Sequence, residues 1–147
     1  MTFRMVLVHP QIPPNTGSIA RTCAATQTPL HLVKPIGFDL SDKALRRAGI
    51  DYWPHVDLTV HENLAAFEAA KGPGRLLAFS PRGTVHFQQF SYQPGDWLVH
   101  GAELEGLPES VLQWADHLLY IPILAEGVRS LNLASAASVS LYEALRA

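Results

Sequence analysis

The chain is poor in charge and almost without cysteine. Charged residues make up 16% of its 147 positions, against about a quarter in a typical globular protein, so the polar covering is thin and self-association is expected. A single cysteine, Cys23, cannot form an internal disulfide or anchor a thiolate zinc site; its expected role is buried filler. No apolar run reaches the ~18 residues of a membrane span. The start, Met1-Thr2-Phe3-Arg4, lacks the charged-then-apolar layout of a signal peptide, so a cytoplasmic protein is expected.

The nucleotide signatures are missing too. There is no G-x-G-x-x-G after the first apolar run, no G-x-x-x-x-G-K-[ST] and no G-x-S-x-G, which removes support for a dinucleotide fold, a P-loop or a serine hydrolase elbow. Seven histidines are scattered without metal-ligand spacing, and no metal is expected. Eleven basic against thirteen acidic residues leave a net charge of −2, so any nucleic-acid contact must come from local clustering. Eight of the eleven basic residues are arginine, whose planar fork suits phosphate.

What is present is an alternation. Apolar runs at 3–8, 30–33, 56–60, 76–79, 97–100 and 118–123 read as strands, and 16–26, 61–70 and 132–146 read as helices, with a short one carrying Arg46 and Arg47. Asn15 and Ser41 are the expected helix caps, and Gly49 the expected stop of the short helix. This pattern predicts one α/β domain, residues 1–147, on a mostly parallel sheet. The length suits a single core.

Three segments carry unusual letters. Pro13-Pro14-Asn15-Thr16-Gly17-Ser18-Ile19-Ala20-Arg21 is a stiff entry to a helix start with an arginine one to two turns on. Such a terminus offers free N–H groups to an anion, though an ordinary capped helix with a surface arginine would use the same residues. Gly101-Ala102-Glu103-Leu104-Glu105-Gly106-Leu107-Pro108 follows a strand, where ligands sit in open α/β sheets; a plain turn is the alternative. In 129–142, Leu133, Ala137, Leu141 and Leu145 form one stripe and Ala134, Ser138 and Tyr142 another, so the last helix is expected to pack on the sheet with one face and on a partner subunit with the other.

In this order the three segments resemble the motifs of the SPOUT class of S-adenosylmethionine-dependent RNA methyltransferases. The similarity is greatest to the tRNA (cytidine/uridine) 2′-O-methyltransferases of the anticodon wobble nucleotide. It runs through LVHPQIPPNTGSIARTCAAT, GFDLSDKALRRAGIDYW, GAELEGLP and IPILAEGVRSLNLASAASVSLYEAL. The resemblance implies a homodimeric α/β fold with a C-terminal trefoil knot, a bent cofactor and no metal. It implies cofactor contacts at Phe79, Gly101, Glu103, Ile121, Ser130 and Leu131, and catalytic positions at Arg21, Asn132 and Tyr142. Arg46, Arg47, Arg82 and Arg129 are the candidates for tRNA phosphates. The family commonly has G-x-E-[TS]-x-G-L-P, often with Arg before the second Gly, and Ser-Asn after the third motif's Asn-Leu. Here Leu104, Glu105 and Ala134-Ser135 stand instead. The runner-up is a non-catalytic RNA- or cofactor-binding homodimer of the same fold.

Since a guanidinium in a protein stays protonated, Arg21 is expected to position the ribose and stabilise a developing alkoxide rather than act as base. The proton would pass to a phosphate oxygen or water.

Overall fold

The computed structural model describes residues 3–146, with residues 49–51 described by their backbone only. Among the described residues, seven strands form one sheet in the order β3-β2-β1-β6-β4-β7-β5. They are β1 (Arg4–Val8), β2 (Leu30–Val33), β3 (Leu58–His61), β4 (Leu76–Phe79), β5 (Val85–His86), β6 (Trp97–His100) and β7 (His117–Tyr120). All the ladders between them are parallel, as the alternation of elements predicts.

A parallel sheet is covered on both faces, so its central strands, here β1, β6 and β4, are mostly apolar, with Arg4 at the start of β1 and His100 at the end of β6 as the polar exceptions. In β1, Met5 and Leu7 enter one core layer and Val6 and Val8 the other. The first layer is covered by α1 (Pro13–Ala25) and α5 (Leu133–Arg146) through Ile19, Ala20, Cys23, Ala137, Leu141 and Ala144. Beneath the second lie Phe67 of α3 (Leu64–Ala70) and Val111 of α4 (Glu109–Trp114). Cys23 is buried as expected, and burial pushes its thiol up to about 12.

Several local expectations are corrected. Helix α1 starts at Pro13 with Ile12 as its N-cap, and no side chain of the cap residue closes it. Asn15 lies in its first turn, because the carboxylate of Glu103 comes from the loop after the neighbouring strand β6 to accept from the N–H groups of Gln11 and Ile12, both at 2.8 Å. Helix α2 (Lys43–Gly49) is capped by Asp42, which accepts from Ala44 N–H at 2.7 Å. Ser41 instead turns back on Asp39. His61 ends β3 rather than opening a helix, since Asn63 is the residue that caps α3, through Ala66 N–H at 2.7 Å. The run 118–123 is strand only to Tyr120. On α5 the fourth member of the stripe, Leu145, is 38% exposed, and Ala144 holds the buried place. A 3-10 turn, Ile50–His55, follows α2 directly.

Among the described residues, no helix is long and apolar enough to cross a membrane.

Candidate active site

Strands β1, β4, β6 and β7 all end at the same edge of the sheet, and the loops that leave them meet there. Strand β1 sends the chain towards β2 and β3, while β4 and β6 send it the other way. Such a reversal opens a crevice beyond the carboxyl ends of the strands. The chain leaves β1 through His9, held in the left-handed region at φ 59°, and passes in front of the loop that follows β6.

That loop is a tight hairpin in which Ala102 and Gly106 exchange backbone hydrogen bonds of 3.2 and 2.9 Å. Gly101 is buried at its base, and a Cβ there would fall on the backbone of Gly106 and Leu107. The hairpin aims Glu103 at the start of α1. Besides Gln11 and Ile12, its carboxylate accepts from Asn15 Nδ2 at 3.3 Å. Asn15 in turn accepts on Oδ1 from Asn132 Nδ2 at 3.1 Å, and Asn132 Oδ1 caps α5 through Ser135 N–H at 3.2 Å. One hydrogen-bonded line therefore joins all three segments singled out in the sequence.

Two cavities among the described residues are lined by the loops at this edge. The larger, about 300 Å³, is lined by Pro81, Tyr120, Ile121, Pro122, Ile123 and Arg129. A smaller one of about 180 Å³ lies between His9, Gln11 and the 102–108 hairpin. Gly83 lets the loop after β4 press against the backbone of Leu119 and Tyr120, where a Cβ would not fit.

The expected cofactor residues occupy different depths. Ile121 lines the larger cavity, while Ser130 and Leu131 are exposed on the loop that supplies Ile123 and Arg129. Phe79 is buried beneath, its ring stacked on His100 with centroids 4.7 Å apart. His100 is itself fully buried; Ser140 Oγ donates to Ala137 O at 2.9 Å and accepts from His100 Nε2–H at 2.9 Å. Burial lowers this imidazole to about 3, so it is neutral.

Arg21 is exposed on α1 with its guanidinium 4.9 Å from the centre of the Tyr52 ring. Thr22 Oγ1, next along the helix, lies 3.2 Å from Ser138 Oγ of α5. Tyr142, one turn beyond Ser138, is 56% exposed. Among the phosphate candidates, Arg46 sits over Trp53 at 5.0 Å and donates from Nε to Leu40 O, and Arg47 is exposed. The charge of Arg82 is already answered by Glu109 at 2.6 Å. Arg129 stands at the rim of the larger cavity. Among the described residues, no group of three or more His, Cys, Asp or Glu is placed to hold a metal ion.

The profile of the SpoU rRNA methylase family matches residues 2–142. The chain belongs to that family. A tRNA (cytidine(34)-2′-O)-methyltransferase of Saccharophagus degradans is 48% identical over 146 residues, covering 98% of this chain and 94% of its own. A solved structure concerned with 2-OH methylation of C/U34 on tRNA is 49% identical, with TM-score 0.95 and coverage of 99% and 95%. An AdoMet-bound rRNA methyltransferase from Sinorhizobium meliloti superposes at TM-score 0.89 and 27% identity, covering 99% of this chain and 56% of that one. The single α/β domain with its parallel sheet is thus the SpoU methyltransferase fold.

For this SpoU-family chain, sequence reading misses Asn15 as the link between motifs, because the residue has the letter of a cap. It also passes over Tyr52 and Trp53, although both lie in the quoted GIDYW segment. Nothing in periodicity marks Pro81, Tyr120, Pro122 or Ile123 as cavity walls.

Proposed function

We propose that this chain methylates the ribose 2′-hydroxyl of the wobble nucleotide of tRNA, cytidine or uridine, using S-adenosylmethionine. The observation that carries the reading is the line Glu103–Asn15–Asn132, which draws to one edge of the sheet the three segments that resemble the methyltransferase motifs, in a chain 48% identical to a tRNA (cytidine(34)-2′-O)-methyltransferase.

The larger cavity suits the cofactor in kind. Its walls are Ile121, Ile123 and two prolines, with Arg129 at the rim. Apolar walls with a few polar groups are what an adenine and a charged amino-acid tail require. In this reading Ile121, Ser130 and Leu131 hold the cofactor through backbone and side chain, Gly101 keeps the hairpin close, and Phe79 backs the site from the core. Glu103 acts by fixing the start of α1. When bound, S-adenosylmethionine supplies an electrophilic sulfonium methyl, which leaves alignment and one proton to the chain.

Arg21 orients the ribose and its neighbouring phosphate and stabilises negative charge growing on the 2′-oxygen. Asn132 and Tyr142 position the nucleotide beside it, and the proton leaves to a phosphate oxygen or water. Arg46, Arg47 and Arg129 contact the RNA backbone. Arg82 contributes there only by giving up Glu109, an exchange of one exposed pair for another.

The acting form is a homodimer, with residues 1–147 of each copy as one SPOUT domain and the loops after β4, β6 and β7 drawn into a trefoil knot. Val139 and Leu145 support the dimer: on α5 they are 41% and 38% exposed, apolar side chains for a second copy to cover. The enzyme works in the cytoplasm, with tRNA.

The test is mass spectrometry of anticodon fragments from tRNA incubated with the protein and S-adenosylmethionine. One added methyl on the ribose of nucleotide 34 of tRNA is expected, with a loss of about 100-fold or more in rate for Arg21→Ala and a smaller loss for Arg21→Lys. Cofactor binding without turnover on any tRNA would favour the non-catalytic binding homodimer. Methylation by Arg21→Ala at the parent rate would remove Arg21 from the site.

A further inference from the structure

The 3-10 turn Ile50–His55 holds two aromatic side chains in succession, Tyr52 and Trp53. With about three residues per turn, neighbours in such a helix diverge by about 120°, and these two face different helices. Tyr52 lies under the guanidinium of Arg21 from α1, and Trp53 under that of Arg46 from α2.

The two arginines are not equally secured. Arg46 also donates from Nε to Leu40 O at 3.0 Å, and Trp53 Nε1 donates back to Arg46 O at 3.2 Å. For Arg21, Tyr52 is the one partner among the described residues. An exposed arginine with four rotatable bonds explores many positions unless something selects one. A ring face within about 6 Å attracts a guanidinium and leaves its N–H edge open to a ligand. Tyr52 therefore fixes where the cation sits without consuming its donors, whereas a carboxylate partner would occupy them.

We propose that Tyr52 is a positioning residue for methyl transfer: its ring selects the rotamer in which Arg21 faces the ribose. This rests on the role given to Arg21 above. The adjoining Trp53–Arg46 pair ties the same turn to the RNA-facing helix, so the spacing between a ribose-facing and a backbone-facing cation is built into residues 52 and 53.

The test is steady-state methylation of tRNA by Tyr52→Leu and Tyr52→Phe, each alone and in the Arg21→Lys background, with folding checked by thermal melting. Tyr52→Leu is expected to lower kcat about 3- to 10-fold with KM for S-adenosylmethionine unchanged. Tyr52→Phe, which keeps the ring face, is expected to recover most of that rate. With Arg21→Lys already present, removing the ring is expected to cost less than about 2-fold, because the planar cation it orients is gone. A readout free of catalysis is the side-chain Nε–H resonance of Arg21 in the free protein, expected to move in Tyr52→Leu and stay in Tyr52→Phe. Equal kcat for Tyr52→Leu and parent, or an equal loss in both backgrounds, overturns the proposal. If Arg21→Ala also keeps the parent rate, the role of Arg21 itself has failed; if Arg21→Ala is inactive, only the role of Tyr52 has.

Discussion

Asn132 donates from Nδ2 to Oδ1 of Asn15 at 3.1 Å, across 117 positions of chain. The orientation of both amides is set at the far end of the line. A carboxylate only accepts, so Asn15 must turn its Nδ2 to Glu103, which leaves Oδ1 for Asn132.

Coupling between these two amides is the first prediction. In a double-mutant cycle of Asn15→Ala and Asn132→Ala, the stability losses are expected to be non-additive by about 0.5–1.5 kcal/mol. Urea denaturation of the four proteins measures it. Additivity within about 0.3 kcal/mol would mean the contact contributes nothing in solution.

The same line explains what could be read from the letters alone. Strands β1, β4 and β6 are legible because both their faces are buried, which writes them as apolar runs such as Met5–Val8, and β2 is legible through Leu30, Leu32 and Val33 around a half-buried His31. The start of α1 is not legible, because its capping acceptor, Glu103, is some 90 positions away. β5 and α4, of two and six residues, are too short to show a period. In the site, Ile121, expected at the cofactor, and Arg129, expected at an RNA phosphate, line one cavity. Phe79 lies in the core, its ring covered by that of His100. The partnership of Arg21 with Tyr52 depends on how α1 crosses the 3-10 turn, a tertiary fact with no local spacing.

Glu103→Gln keeps the size of the side chain and removes its charge and one acceptor. Two backbone N–H groups and one amide then share a single oxygen. A loss of about 1–2 kcal/mol is expected from the weakened cap and the lost charge at a helix N-terminus. Chemical denaturation should show it, and unchanged stability would show that water replaces the carboxylate at no cost.

Gly101→Ala is expected to cost more, about 3 kcal/mol, since the added methyl meets the main chain of Gly106 and Leu107, which cannot rotate away. Gly72→Ala is the matched control: nothing lies within 4 Å of its Cβ position, and a change within about 0.5 kcal/mol is expected. Comparable melting temperatures for the two variants would show that the hairpin opens freely to admit a side chain.

Acid sensitivity should arise well above the carboxylate range. Burial lowers His100 to about 3, and burial together with the neighbouring His61 lowers His31 to about 4. His31 Nδ1 lies 2.9 Å from His61 Nε2, so one must accept, and a further proton would set two donors face to face. His61 is lowered by burial as well. These rings are neutral in the fold but take up protons near pH 6.5 once unfolded. The unfolded chain thus binds more protons below that point, and stability is complete above about pH 6.5 and declines as pH falls towards 4. His100 alone should remove about 2 kcal/mol between pH 7 and 5, with His31 adding a smaller, solvent-screened share. Urea melts at intervals from pH 7 to 5 measure this above the range in which carboxylates titrate. A flat profile over that interval would mean that at least one ring, His100 first, accepts its proton without leaving the core.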